Sequence, residues 1–167
     1  MDFYEVLEKR RSIRKYKNDP VTDESLEKIS RAIQCAPSAC NLQPCSFRII
    51  TDSALKEKIY QCYPREWLRS APAIVVALGN EKEAWTRPNG TSIIDVDMGI
   101  AMEHLVLAAT AEGLATCWIC AFQTEKMNQE LNIMPPWSVI AISPLGYANE
   151  EPAPVKRKPV KELIKTI

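Results

Sequence analysis

Apolar and polar positions divide the chain into short amphipathic helices and short apolar runs. Phe3, Val6 and Leu7 share one face of a short helix that Asp2 is placed to cap. Leu26, Ile29, Ile33 and Ala36 form the apolar stripe of a second helix, with Thr22 as its cap, Asp23 and Glu24 in its first turn and Pro37 at its end. Ser46–Thr51 alternates and is β-branched, which predicts a strand. Ser53–Tyr60 reads as a helix, and the apolar run Ala71–Leu78 as a buried strand. Asn80–Thr91 reads as a polar loop broken by Trp85, Pro88 and Gly90.

From Ser92 to Glu112 the pattern loses its polar side, with Ile93, Ile94, Val96, Met98, Ile100 and Leu105–Ala109 covering nearly every face. Such a helix, roughly 30 Å long, is buried on most sides. A small domain does not enclose one easily, which predicts a subunit interface. Gly113 ends it. Ala115–Phe122 reads as a strand, Glu125–Leu131 as a short helix, Val139–Leu145 as a strand, and Val160–Ile164 as a final helix after a Pro- and Lys-rich tail. Helices interspersed with about four separated strands predict an α+β fold: a mixed, mainly antiparallel sheet flanked by helices, in one domain spanning residues 1–167.

Composition narrows the function. The chain is 46% hydrophobic, which predicts a folded globule, and its 21 basic residues balance 21 acidic ones. A neutral chain has no global field for nucleic acid, so any anion site must come from local clustering. No apolar run is of membrane-spanning length, and Asp2 and Glu5 stand where a signal peptide would not have them, so the expectation is a cytoplasmic protein without membrane contact. The six cysteines then read as free thiols.

Candidate chemistry gathers in a few segments. Arg10-Arg11-Ser12-Ile13-Arg14-Lys15-Tyr16 packs four cations and a hydroxyl into seven residues, and guanidinium forks match phosphate oxygens. A solvated helix end would also account for those charges. Pro37-Ser38-Ala39-Cys40-Asn41-Leu42-Gln43-Pro44 offers a hydroxyl and two amides to a polar ring edge, or is an ordinary helix-to-strand loop. Lys156, Arg157 and Lys158 are a basic turn or a further phosphate contact. Cys117-Trp118-Ile119-Cys120 has redox spacing, but inside a strand its thiols face opposite sides. His104, the only histidine, sits among apolar neighbours and reads as a packing residue. Asp95 and Asp97 read as a helix cap or first-turn acids rather than a catalytic pair. Hydrolytic machinery is therefore missing, and the chemistry is expected to reside in a bound cofactor.

Four ordered stretches carry a resemblance. They are Arg10–Tyr16; Ala36–Ala39 with Asn41–Pro44; Asp97–Ala101 through Leu107–Ala109 to Gly113–Ile119; and Leu145-Gly146-Tyr147 followed by Arg157-Lys158-Pro159. Together they span nearly the whole chain, which thereby resembles the nitroreductase family of FMN-dependent NAD(P)H oxidoreductases. The resemblance implies an intertwined homodimer around long central helices, with FMN at the interface and the tail 148–167 packed on the partner subunit. It places Arg10, Ser12 and Arg157 at the phosphate and ribityl chain, Arg11 at a cofactor-contacting position, and Arg14 near the pyrimidine edge. Pro37, Ser38, Ala39, Asn41 and Gln43 would come from the partner, and backbone N–H groups around Cys120 and Ala121 would approach the ring. Cys120 departs from the family, in which glycine or glutamate more often follows Trp-Ile. The segment covering the site is reduced to Pro64–Leu68 or Trp85–Gly90.

The implied reaction moves hydride from NADH or NADPH through the flavin to a small-molecule acceptor, a nitroaromatic or quinone, by ping-pong kinetics. The rival readings are a flavin-binding or storage protein with incidental reductase activity, a Cys117/Cys120 thiol redox pair, and a structural dimer without a ligand.

Overall fold

The computed structural model describes residues 1–167. Asp2 caps α1 (Phe3–Lys9) through a capping box with Glu5, and Thr22 caps α2 (Asp23–Gln34) by accepting from the Ser25 N–H. The other elements are β1 (Cys45–Ile50), α3 (Ser53–Cys62), β2 (Ala73–Asn80), α4 (Ile94–Ala111), β3 (Ala115–Thr116), α5 (Thr124–Glu130), β4 (Trp137–Gly146) and α6 (Val160–Leu163). The strands form one antiparallel sheet in the order β1-β2-β4-β3, which confirms the α+β architecture.

β2 is buried along its whole length because both faces of the sheet are covered. On one face, α3 and α5 close a core around Ile59, Leu68, Val76, Met127 and Ile142. On the other, α2 and α4 close a second core around Ile29, Val75, Met102, Leu105 and Ala109. Lys28 and Ser25 of α2 both reach Glu112 at the end of α4, at 3.0 and 3.3 Å. No helix is long and apolar enough to cross a membrane.

The strand expected over Ala115–Phe122 is shorter than its apolar pattern. Only Ala115–Thr116 is regular, and Ile119 pairs with Ile142 as an isolated bridge. The two pairings keep one register, so the break between them is local. Pro144 lies opposite Cys117 in that register and has no N–H to give. The Ser143 hydroxyl fills the gap, accepting from the Cys117 N–H at 3.3 Å and donating to the Pro144 carbonyl at 2.9 Å.

α4 leaves part of its apolar surface uncovered. Val96 is exposed, Ile100 and Leu107 are half-buried along the same face, and Phe3 and Tyr4 of α1 are 62% and 75% exposed. Every residue from Asn149 to Ile167 is exposed, including Val160, Leu163 and Ile164.

Candidate cofactor site

Residues 10–16 leave the end of α1 as an extended segment along the β3 edge of the sheet. Ser12 bridges Thr116, the Ile13 N–H donates to the Thr116 carbonyl at 3.0 Å, and Tyr16 bridges Ala148. Extended backbone alternates its side chains, so Arg10, Ser12 and Arg14 share one face while Arg11 and Ile13 take the other. Ile13 is core, packed with Tyr16, Ala71 and Ala115. The Arg11 guanidinium is folded back on the Glu8 and Arg10 carbonyls at 2.5 and 2.8 Å, closing the end of α1.

The ion pairs of the protein involve Lys28, Arg31 and Arg69, and none uses a cation of the 10–17 segment. Arg10 and Arg14 therefore have no ion-pair partner within the chain. Glu150, the acid that reaches the segment, binds the backbone N–H of Arg14 at 2.5 Å rather than a guanidinium. Beneath this face lies the buried Cys117 thiol, raised by burial and partly offset by Arg14 and a hydrogen bond from Ser12. Further along the same edge, the N–H groups of Cys120 and Ala121 donate to no protein acceptor. Cys117 is buried and Cys120 exposed, so the two thiols of the Cys-x-x-Cys motif do not meet.

The second predicted segment is a strained loop. Cys40, Asn41 and Gln43 have φ of 49°, 54° and 52°, the left-handed region that side chains disfavour. The Ser38 hydroxyl accepts from the Gln43 N–H at 2.9 Å, and the Gln43 amide donates to the Asn41 carbonyl at 3.2 Å. Ala39 N–H donates to a carboxylate oxygen of Asp97 at 3.0 Å. Pro37, Ser38, Gln43, Cys45 and Asp97 line a cavity of ≈ 120 Å³ behind the loop. The Asn41 side chain makes no hydrogen bond within the chain and is exposed. Asp97 does stand in the first turn of α4, but that helix has Ile93 at its cap position, and the carboxylate serves the loop instead.

The two segments do not meet in one protomer. The loop feeds the start of β1, where Cys45 pairs with Gly79; the cationic segment sits beside Thr116, which pairs with Leu145, itself opposite Ala73. These are diagonal corners of the sheet, three strand spacings and six residues apart, about 25 Å by strand geometry. Arg157 lies on the exposed tail.

Three site residues escaped sequence reasoning. Asp97 was visible with Asp95 as a cap or first-turn acid, but its partner in the loop could not be named. Glu150 carried no signal, and Trp67 stood out only through its place in Pro64–Leu68; each meets the cationic segment only through the fold, Glu150 at the Arg14 N–H and the Trp67 ring at the Arg14 guanidinium. The sole histidine packs, with its ring nitrogen 2.9 Å from the Ala32 carbonyl.

Comparison with known proteins finds relatives over nearly the whole chain. A family model described as "Putative TM nitroreductase" matches residues 2–167. A Methanothermobacter thermautotrophicus protein named "Putative NADH dehydrogenase/NAD(P)H nitroreductase" is 33% identical over 165 residues, covering 91% of this chain and 80% of its own. A nitroreductase family protein of Clostridium difficile superposes with a TM-score of 0.90 at 29% identity, covering 99% of this chain and 98% of that one. An FMN-dependent nitroreductase, also from Clostridium difficile, superposes with a TM-score of 0.77 at 30% identity over 90% of each chain. The chain belongs to the nitroreductase family.

Proposed function

We propose that the protein is an FMN-dependent NAD(P)H oxidoreductase working as a homodimer in the cytoplasm. The observation that carries this reading is a row of donors along one sheet edge: Arg10 and Arg14 without ion-pair partners, the exposed Ser12 between them, and the N–H groups of Cys120 and Ala121, which donate to no protein acceptor. A phosphate joined to a polar ring is the ligand class that uses cations and neutral donors together. These residues fit FMN.

Arg10 and Ser12 would hold the phosphate, with Arg157 reaching it from the tail. Arg14 would place a cation at the pyrimidine edge, where it stabilises negative charge. The N–H groups of Cys120 and Ala121 would orient the ring through its polar edge. Bound FMN supplies the redox chemistry, accepting hydride from NADH or NADPH and passing it to a nitroaromatic, a quinone or a similar acceptor in alternating half-reactions. No side chain needs to act as an acid or base, which accounts for a site edge without a histidine.

The diagonal separation of the two segments supports a dimeric site. Pro37, Ser38, Ala39, Asn41 and Gln43 of one subunit can reach a ligand on Arg10, Ser12 and Arg14 only if it belongs to the other subunit. The uncovered stripe on α4, the exposed Phe3 and Tyr4, and the exposed Val160, Leu163 and Ile164 of the tail supply surface for such a contact.

The test is the absorption spectrum of the purified protein and its response to reductant. Visible flavin bands that bleach with NADH or NADPH, recover with acceptor, and give parallel double-reciprocal plots are expected. A colourless protein that does not take up added FMN would overturn the reading. Bleaching no faster than that of free FMN would make the protein a flavin carrier instead.

A further inference from the structure

Arg14 is held in an unusual way for a cation beside a binding face. Its guanidinium carbon stands 5.9 Å from the centroid of the Trp67 ring, within the range in which an aromatic face attracts a cation. No carboxylate lies within ion-pairing distance of it. Trp67 belongs to the short 3-10 turn Glu66–Ser70, which overlaps Pro64–Leu68, one of the two segments the sequence marked as a shortened cover.

The indole packs against both neighbouring cores, and the turn that carries it is tied down. Tyr63 packs edge-on against it, with ring centroids 6.2 Å apart at 81°. Leu68, the next residue, is fully buried. A hydroxyl relay then ties the turn to the cationic segment: the Tyr16 N–H donates to the Ser70 oxygen at 3.2 Å, and the Ser70 hydroxyl donates to the Trp67 carbonyl at 2.8 Å. Trp67 and the backbone two residues from Arg14 therefore form one rigid unit.

The choice of partner matters electrostatically. A carboxylate would orient Arg14 but cancel its charge, whereas an aromatic face orients it and leaves the charge available. We infer that Trp67 is a positioning residue for Arg14, aiming an unneutralised guanidinium at the cofactor face and thereby setting the reduction potential of the flavin. The inference rests on the proposal that Arg14 faces the pyrimidine edge of FMN.

The experiment uses FMN-loaded protein and four variants: W67L, W67F, R14A and R14A/W67L. FMN affinity is read by fluorescence titration and midpoint potential by spectroelectrochemical titration. W67L is expected to lower the midpoint potential and to weaken FMN binding roughly two- to fivefold, the scale of one exposed cation–π contact. W67F retains a weaker aromatic face and should fall between W67L and the parent, which keeps the test readable if W67L folds poorly. In the R14A background W67L should shift the potential no further, because the effect runs through Arg14. A W67L shift equal in both backgrounds, or no shift in W67L and W67F while R14A shifts, would overturn the role of Trp67 alone. An unchanged potential in R14A would overturn the placement of Arg14 at the flavin, and this inference with it.

Discussion

One carboxylate oxygen of Asp97 accepts the Ala39 N–H at 3.0 Å, joining the first turn of α4 to a loop that carries three left-handed residues. Asp97 is only 2% exposed, and its second carboxylate oxygen has no partner. A strained loop persists only where its surroundings over-determine it, and this bond is one of those determinants. D97A, which leaves the Ala39 N–H without an acceptor, is expected to cost about 1–3 kcal/mol. D97N retains an acceptor oxygen and should cost less. Urea denaturation with limited proteolysis checks both, with faster cleavage between residues 38 and 43 in D97A alone.

Alternation along residues 10–14 separates two neighbouring arginines. R10A should weaken FMN binding by about 1.5–3 kcal/mol, the scale of one lost charge-assisted hydrogen bond. R11A should change it far less, since the Arg11 guanidinium is spent on the Glu8 and Arg10 carbonyls. FMN titration of the two variants side by side tests the assignment of faces, and equal losses would refute it.

Stability should fall in alkali. Burial, with the charge of Asp97 adding, pushes the Cys45 thiol up to about 11 from its ordinary 9.0. Burial also raises Cys62, Cys117 and Tyr60, and carries Tyr16 well above the usual tyrosine range. Below pH 9.0 the Cys45 thiol is protonated folded and unfolded, and its full contribution is present. Between 9.0 and about 11 the unfolded chain releases that proton while the folded chain holds it, so stability declines as pH rises. Linkage sets the slope at about 1.4 kcal/mol per pH unit for each proton so held. Urea midpoints measured from pH 7 upward check the direction.

The same burial sorts the thiols by reactivity. Cys35, Cys40 and Cys120 are exposed, whereas Cys45 is partly buried and Cys62 and Cys117 are buried. Alkylation at neutral pH followed by mass spectrometry should modify the first three ahead of the others. Added FMN should slow modification at Cys120 and leave Cys35 unchanged.

Gly146, in the last position of β4, tolerates no side chain. A Cβ there would stand 2.6 Å from Cδ of Pro72 and 3.4 Å from the Tyr16 ring. A proline ring cannot swing aside, so G146A is expected to cost about 1–3 kcal/mol as an overpacking change. Thermal denaturation would show it.

Much of the fold was legible because local rules decided it. Asp2 and Thr22 capped the helices that their spacing predicted, and the all-apolar run became a central helix with the sheet and α2 packed around it. The strand after Gly113 was overextended because its apolar pattern is real, while the limit on its length comes from Pro144 on another strand. In the candidate site, both donor-rich segments were legible as residue types, but which side chains share a face was not: Arg11, which the resemblance sets at a cofactor-contacting position, folds its guanidinium back on the Glu8 and Arg10 carbonyls, and that depends on the backbone conformation.

Sequence alone determined the cap residues, the apolar stripes, the buried strands and the two segments rich in donors, because each depends on neighbours within a few positions. Tertiary structure decided the strand order that sets those segments at diagonal corners, the reach of Asp97 to Ala39, and the stacking of Arg14 on Trp67. Such contacts join residues far apart in the chain, and a pattern read along one dimension holds no record of which distant surfaces pack together.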